Sequence, residues 1–150
     1  MSRQQEFQSS THAVYSLHAH VVFAPKYRRH VLTERVFAVL RTSWLATCAV
    51  LGASLVEANC EGDHCHLLLA YPPRVALSAL VRGLKGASSR RVRAMRFPEV
   101  TRCLWGRHFW SASYCVVSCG GAPLAVIAEY VRSQAGAAAN PTVGGASPPR

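Results

Sequence analysis

Glu61-Gly62-Asp63-His64-Cys65-His66-Leu67-Leu68-Leu69-Ala70 is a polar turn running straight into an apolar strand, and its reading decides the rest of the chain. Side chains alternate faces along a strand. His64 and His66 therefore share a face with Leu68 and Ala70, while Cys65, Leu67 and Leu69 take the other. Two imidazoles one residue apart on one face make half of a divalent-metal site. An isolated His-x-His is more often a pair of half-exposed residues on a sheet edge. The Gly-Asp turn before this one and the leucine run after it favour function.

Working outward, Ala53 to Cys60 reads as the strand that Glu61-Gly62-Asp63 turns back as a hairpin, and His64 to Tyr71 as its partner, stopped by Pro72-Pro73. Before the hairpin, Thr33 caps a helix running to about Leu51 and ended by Gly52. Its core stripe is Val36, Val39, Leu40, Trp44, Cys48 and Leu51. Earlier still, His12 to Ala24 is a strand with a second pair, His18 and His20. That pair is either another half-site, a neighbour of the main one, or solvent-facing. After the hairpin, Val75 to Arg96 is a long helix with Leu77, Leu80, Val81, Leu84, Val92 and Met95 inward. Phe97 to His108 is irregular, and Phe109 to Ser118 is a fourth strand. Gly120-Gly121 is a joint, and Pro123 opens a short helix over Leu124 to Gln134. Residues 1–11 and the Ala/Gly/Pro/Ser stretch 136–150 are disordered tails around one domain, 12–135.

The order β-α-β-β-α-β predicts an α+β fold, the ferredoxin-like split β-α-β: an antiparallel sheet with two helices on one face. The first and third strands are then central neighbours. The histidines lie on the face the two helices leave open, and the extra C-terminal helix is free to cover it.

Charge limits the partners. Seventeen Lys and Arg against seven Asp and Glu leave the chain at +10, which predicts a polyanion, most commonly nucleic acid. The positive groups cluster. Lys26-Tyr27-Arg28-Arg29 is a basic loop with one aromatic, suited to phosphate contacts and base stacking. Arg82, Lys85, Arg90, Arg91, Arg93 and Arg96 crowd the outer face of the second helix, with Ser88 and Ser89 among them and only Glu99, beyond its end, to neutralise them. Arg107 adds to the basic set. No uncharged apolar run approaches membrane-spanning length and no signal peptide opens the chain, so no membrane is involved and the cytoplasm is the expected compartment. The six cysteines there read as small hydrophobic thiols. Cys60 with His64, Cys65 and His66 is too crowded for a structural zinc.

In the last helix, Tyr130 and Gln134 are four apart and share a face beside the packing stripe of Ile127 and Val131. A tyrosine paired with an amide oxygen able to meet a metal is a candidate nucleophile. The chain resembles the HUH single-tyrosine transposases of small bacterial insertion sequences. The resemblance rests on Val22-Phe23-Ala24-Pro25-Lys26-Tyr27-Arg28-Arg29, Gly62 to Leu68, Leu84-Lys85-Gly86-Ala87-Ser88-Ser89-Arg90, Leu104-Trp105-Gly106-Arg107-His108-Phe109-Trp110, and Tyr130 with Gln134. These blocks stand in the family's order over roughly residues 14 to 135. Cys65 departs from the aliphatic residue usual between the histidines, and the tail after Gln134 has no counterpart.

The resemblance implies that His64, His66 and Gln134 hold a divalent metal and that Tyr130 is the catalytic nucleophile. The reaction would cut and rejoin single-stranded DNA at insertion-sequence ends, which carry hairpins, by way of a 5′-phosphotyrosine. The donors suit Mn²⁺ and also admit Mg²⁺. Glu57 or Asp63 would hold an imidazole N–H from behind. The resemblance also implies a homodimer with active sites shared between subunits. Residues 119 to 122 span at most ~14 Å, so the last helix must lie close to where its own strand ends; joining two edge strands would bring it near the neighbouring sheet, and Gly120-Gly121 lets it dock at home or across. The rival is a non-catalytic nucleic-acid-binding module on the same fold. No Gly-aromatic-Gly/Ala-Phe-Val strand supports an RNA-recognition motif.

Overall fold

Strand β1 (His18–Phe23) alternates half-buried and buried residues along its whole length. Ala19, Val21 and Phe23 enter the core, and His18, His20 and Val22 take the other face. The computed structural model describes residues 8–9, 14–104 and 106–119. From β1 the chain passes through a 3₁₀ turn (Lys26–Arg28) into α1 (Glu34–Leu51). It continues through β2 (Ser54–Glu61), β3 (His64–Ala70), α2 (Leu77–Met95), the short α3 (Pro98–Thr101) and β4 (Cys115–Ser118). The sheet order is β2-β3-β1-β4, antiparallel throughout. This is the predicted α+β ferredoxin-like sheet, with β1 and β3 at its centre.

Local chemistry sets the ends of α1. The Thr33 hydroxyl accepts from Val36 N–H at 3.4 Å, and Gly52 closes the helix in the left-handed region at φ 77°. Val36, Leu40, Trp44 and Cys48 face inward as the spacing requires. On α2 the inward set is Leu80, Val81, Leu84, Ser88 and Val92. Two expectations fail there. Met95 is exposed. Ser88 belongs to the core, where its hydroxyl accepts from Trp110 Nε1 at 3.0 Å and satisfies that buried indole N–H.

Trp44 is fully buried between Phe23, Phe37 and Trp110, with ring centroids 5.9, 6.3 and 6.3 Å away. Trp44→Ala should cost about 3–5 kcal/mol of stability, the toll of an unfilled aromatic cavity. The urea midpoint should fall with an unchanged slope, and a loss under 1 kcal/mol would show that this cluster is not the core.

Other differences concern long-range pairing. β1 is shorter than the predicted His12–Ala24, since Val14–Tyr15 pairs instead with Gln8–Ser9, inside the stretch expected to be a loose tail. β4 begins at Cys115 rather than Phe109. Phe109 and Trp110 still follow the sheet through Lys26 N–H to Phe109 O (2.9 Å) and Ser111 N–H to Ala24 O (2.8 Å). Beyond them the Lys85 ammonium takes the carbonyls of Ser111 (2.6 Å) and Ala112 (3.3 Å), diverting the chain from the ladder. Cys60 and Cys65, expected as free thiols, stand opposite each other in the hairpin register with Cα atoms 4.1 Å apart and form a disulfide. Cys115 is exposed. No described helix is long and apolar enough to cross a membrane.

Candidate metal centre and nucleic-acid interface

The β2–β3 hairpin turns at Gly62-Asp63, which sets Glu61 opposite His64 and Asn59 opposite His66. Gly62 takes φ 57°, and a Cβ there would lie 2.9 Å from His30 Nδ1, so the turn requires glycine. The ligand atoms of Glu61, His64 and His66 lie within 4.8 Å of one another. One carboxylate oxygen and two imidazoles in that space fit a small divalent cation. Sequence reasoning missed Glu61 as a member of the cluster. It was read as part of a three-residue turn; counted as a two-residue turn, 61 and 64 become partners.

Each ring is held from behind. His64 Nδ1 is 2.8 Å from Asp63 Oδ1. His66 Nδ1 is 3.3 Å from His20 Nε2, the two rings stacked at 5.3 Å. Both Nε2 atoms remain as candidate donors, and His64 Nε2 is 3.5 Å from Glu61 Oε1. The hydrogen bond to His64 is the main cause holding the Asp63 carboxyl below the usual carboxylate range, with Arg28 adding to it. His20 is pushed below the ordinary histidine value, chiefly by desolvation and then by His66.

Of the three readings of the first His-x-His, His20 proves a neighbour of the main pair. His18 lies at the far end, opposite Ala70. Glu57 shares the open face but stands opposite Leu68, further along than either ligand, because the ladder shifts between Leu55 and Glu57. The place expected for it behind a histidine is filled by Asp63 and His20.

The basic residues fall into two groups. Lys26, Tyr27, Arg28 and Arg29 lie beside the hairpin turn, since Leu32 N–H donates to Gly62 O at 3.1 Å and anchors the loop there. Tyr27 (φ 61°) and Arg28 (φ 50°) both adopt the left-handed region, which costs about 1–2 kcal/mol for each non-glycine residue. Tyr27 is 72% exposed, and the cations of Lys26 and Arg29 lie over its ring, 5.6 and 5.8 Å from the centroid.

The second group surrounds a cavity of about 590 Å³ between α2 and residues 107–114, lined by Arg82, Lys85, Arg90, Arg107, Trp110 and Tyr114. Two corrections apply to it. Lys85 is half-buried, with desolvation lowering its pKa, and its ammonium is already engaged by backbone carbonyls. Glu99 neutralises nothing on α2. It accepts from Arg35 on α1 at 2.6 and 2.8 Å and from Thr33 at 2.7 Å, and these bonds hold its carboxyl down at about 2. Arg82, Arg90 and Arg91 are exposed. Tyr130, Gln134, the Gly120-Gly121 joint and the last helix lie outside the described residues.

A split β-α-β sheet with paired histidines on the face that α1 and α2 leave open, backed by a carboxylate and bordered by a basic loop, is the framework of an α+β enzyme that handles nucleic acid. The family model described as "Transposase IS200 like" matches residues 13–134, and the chain belongs to that family of transposases. It is 35% identical over 121 residues to the ISDra2 transposase TnpA of Deinococcus radiodurans, spanning 81% of this chain and 86% of that one. It is 31% identical over 126 residues to the transposase for insertion sequence element IS200 of Salmonella typhimurium, spanning 84% and 82%. Among solved structures, a putative transposase from Deinococcus radiodurans R1 superposes with a TM-score of 0.67 at 33% identity, over 85% of this chain and 97% of that one. The REP-associated tyrosine transposase bound to a REP hairpin shares the fold, with a TM-score of 0.51 at 12% identity, over 79% and 62%.

Proposed function

We propose that this transposase cuts and rejoins single-stranded DNA at the ends of an insertion sequence, with Tyr130 as nucleophile and a divalent metal held by His64, His66 and Gln134. The observation that supports this reading best is the convergence of Glu61, His64 and His66 beside an exposed basic loop. Glu61 is a further oxygen donor in reach of the same ion. The ion, Mn²⁺ or Mg²⁺, would draw charge from the scissile phosphate and orient it. In cutting, the tyrosine oxygen bonds to phosphorus and the bond to the 3′ oxygen breaks. The phenol's proton is matched by the one the 3′-hydroxyl gains. The product is a 5′-phosphotyrosine that keeps the phosphoester for rejoining. The deciding experiment incubates the protein with labelled single-stranded element ends, folded hairpins included, and looks for a covalent adduct on a denaturing gel. A shifted complex without an adduct would instead identify a binding module.

Arg82, Arg90, Arg91 and Arg107 lie with the helices, on the side of the sheet away from the histidines, and would track the DNA backbone there; Lys26 and Arg29 would do so at the cutting site. Binding should weaken steeply with salt, with a slope of about −0.7 per phosphate neutralised on a single strand. Arg82→Ala or Arg90→Ala should each flatten the slope by roughly that amount. A slope unchanged in both variants would remove α2 from the interface.

The active form is a dimer that shares its sites. Among the described residues β4 is an edge strand, all four of its residues exposed, Val116 and Val117 among them, which favours pairing with a second copy. Mixing Tyr130→Phe with His64→Ala should restore cleavage, because the heterodimer holds one intact composite site. No recovery despite verified subunit exchange would place Tyr130 with its own histidines.

A further inference from the structure

The sequence makes Arg28 one of the expected phosphate contacts, but its guanidinium is turned elsewhere. Nε and Nη2 donate to Asp63 Oδ2 at 3.2 and 3.1 Å, while the other oxygen of that carboxylate, Oδ1, is 2.8 Å from His64 Nδ1. The three groups form one chain: guanidinium, carboxylate, imidazole. Both ends are built. Pro25, Val31 and Leu32 are buried anchors of the loop, Arg28 N–H donates to Pro25 O at 2.9 Å, and Leu32 N–H ties the loop to Gly62. Between those anchors the backbone takes two consecutive left-handed residues, Tyr27 and Arg28, and Arg28 then reaches the hairpin turn. Such a conformation persists only where its surroundings over-determine it, and here the two buried anchors fix the loop against the hairpin turn.

We propose that Arg28 is a positioning residue for the metal centre: it fixes Asp63, and through it holds His64 in the tautomer that carries its proton on Nδ1. The Nε2 lone pair is then turned toward the space shared with Glu61 and His66. A carboxylate with one free oxygen can rotate away from an imidazole. With Oδ2 gripped by two N–H donors, Oδ1 stays where His64 needs it. The orientation of one ligand is thereby tied to the basic loop. This inference rests on the metal-site reading above, yet its first test requires no metal.

The test uses the full chain with nitrogen-15 histidine labelling. In the metal-free protein, ring nitrogen shifts should report the His64 proton on Nδ1; in Arg28→Ala and Asp63→Ala it should distribute over both nitrogens. Arginine and alanine both carry a Cβ, so the left-handed backbone is no more hindered in the variant. Mn²⁺ affinity, followed by its paramagnetic resonance signal, should fall about 10- to 100-fold in Asp63→Ala and roughly 3- to 10-fold in Arg28→Ala. Arg28→Lys keeps the charge without the fork and should recover part of the loss. In the Asp63→Ala background, Arg28→Ala should cost nothing further. An unchanged tautomer in Arg28→Ala overturns the proposal, as does an Arg28→Ala loss that persists without Asp63. So does a variant that loses DNA affinity alone, which would return Arg28 to the phosphate contacts. Failure of the transposition chemistry itself would show separately, as no adduct from the wild-type chain, and would leave the tautomer result standing.

Discussion

Tyr130→Phe is expected to form no covalent adduct with single-stranded element ends while binding them nearly as well as the wild type. The substitution removes one oxygen, and that oxygen is the atom that would bond to phosphorus. A free phenol ionises near pH 10, so at neutral pH it attacks only where a cation and a fixed geometry assist it. The expected loss in cutting is therefore roughly 10⁴-fold or more, the scale found when a nucleophile is deleted from an assembled site. Binding should survive because the contacts assigned to it are charges on α2 and on the 26–29 loop. Persistence of the adduct would transfer the role to another tyrosine. Tyr27 and Tyr114, both exposed, are then the candidates. Tyr27 has the better claim, since its loop adjoins the histidine hairpin.

The second large effect belongs to the histidines. His66→Ala should lower metal-dependent cleavage about 10³-fold, corresponding to several kcal/mol of lost charge stabilisation at the phosphate. Mn²⁺ affinity should fall with it. The fold should not suffer, because His66 is on the open face while the core side of β3 is Cys65, Leu67 and Leu69. The first strand provides an internal control. His18 lies opposite Ala70, remote from the pair, and His18→Ala should leave cleavage unchanged. His20 stacks on His66 and faces its Nδ1, so His20→Ala should fall between the two. Equal losses from His18→Ala and His66→Ala would mean that the wrong pair has been assigned to the metal.

Much of this was legible along the chain, because the relevant physics is local. A period of two assigns each residue of β1 and β3 to a face, so the separation of His64 and His66 from Cys65, Leu67 and Leu69 needed no coordinates. The cap at Thr33, the stop at Gly52 and the prolines after β3 act within a few residues of themselves. Element order then leaves few topologies, and the split β-α-β sheet is the one observed. What only the tertiary structure decided is register. Whether the hairpin turn holds two residues or three decides that Cys60 faces Cys65 and that Glu61 joins His64; the pairing of β1 with β3 sets His20 behind His66, and the ladder shift in β2 carries Glu57 past both ligands. A shift of one residue would reverse each of them. Charge shows the same division. Sequence revealed an excess of positive residues, but a long flexible side chain can serve a distant carboxylate as readily as a ligand. Arg28 turning to Asp63, Arg35 to Glu99 and Lys85 to the carbonyls of Ser111 and Ala112 were settled by which oxygens the fold brought within about 3 Å of them.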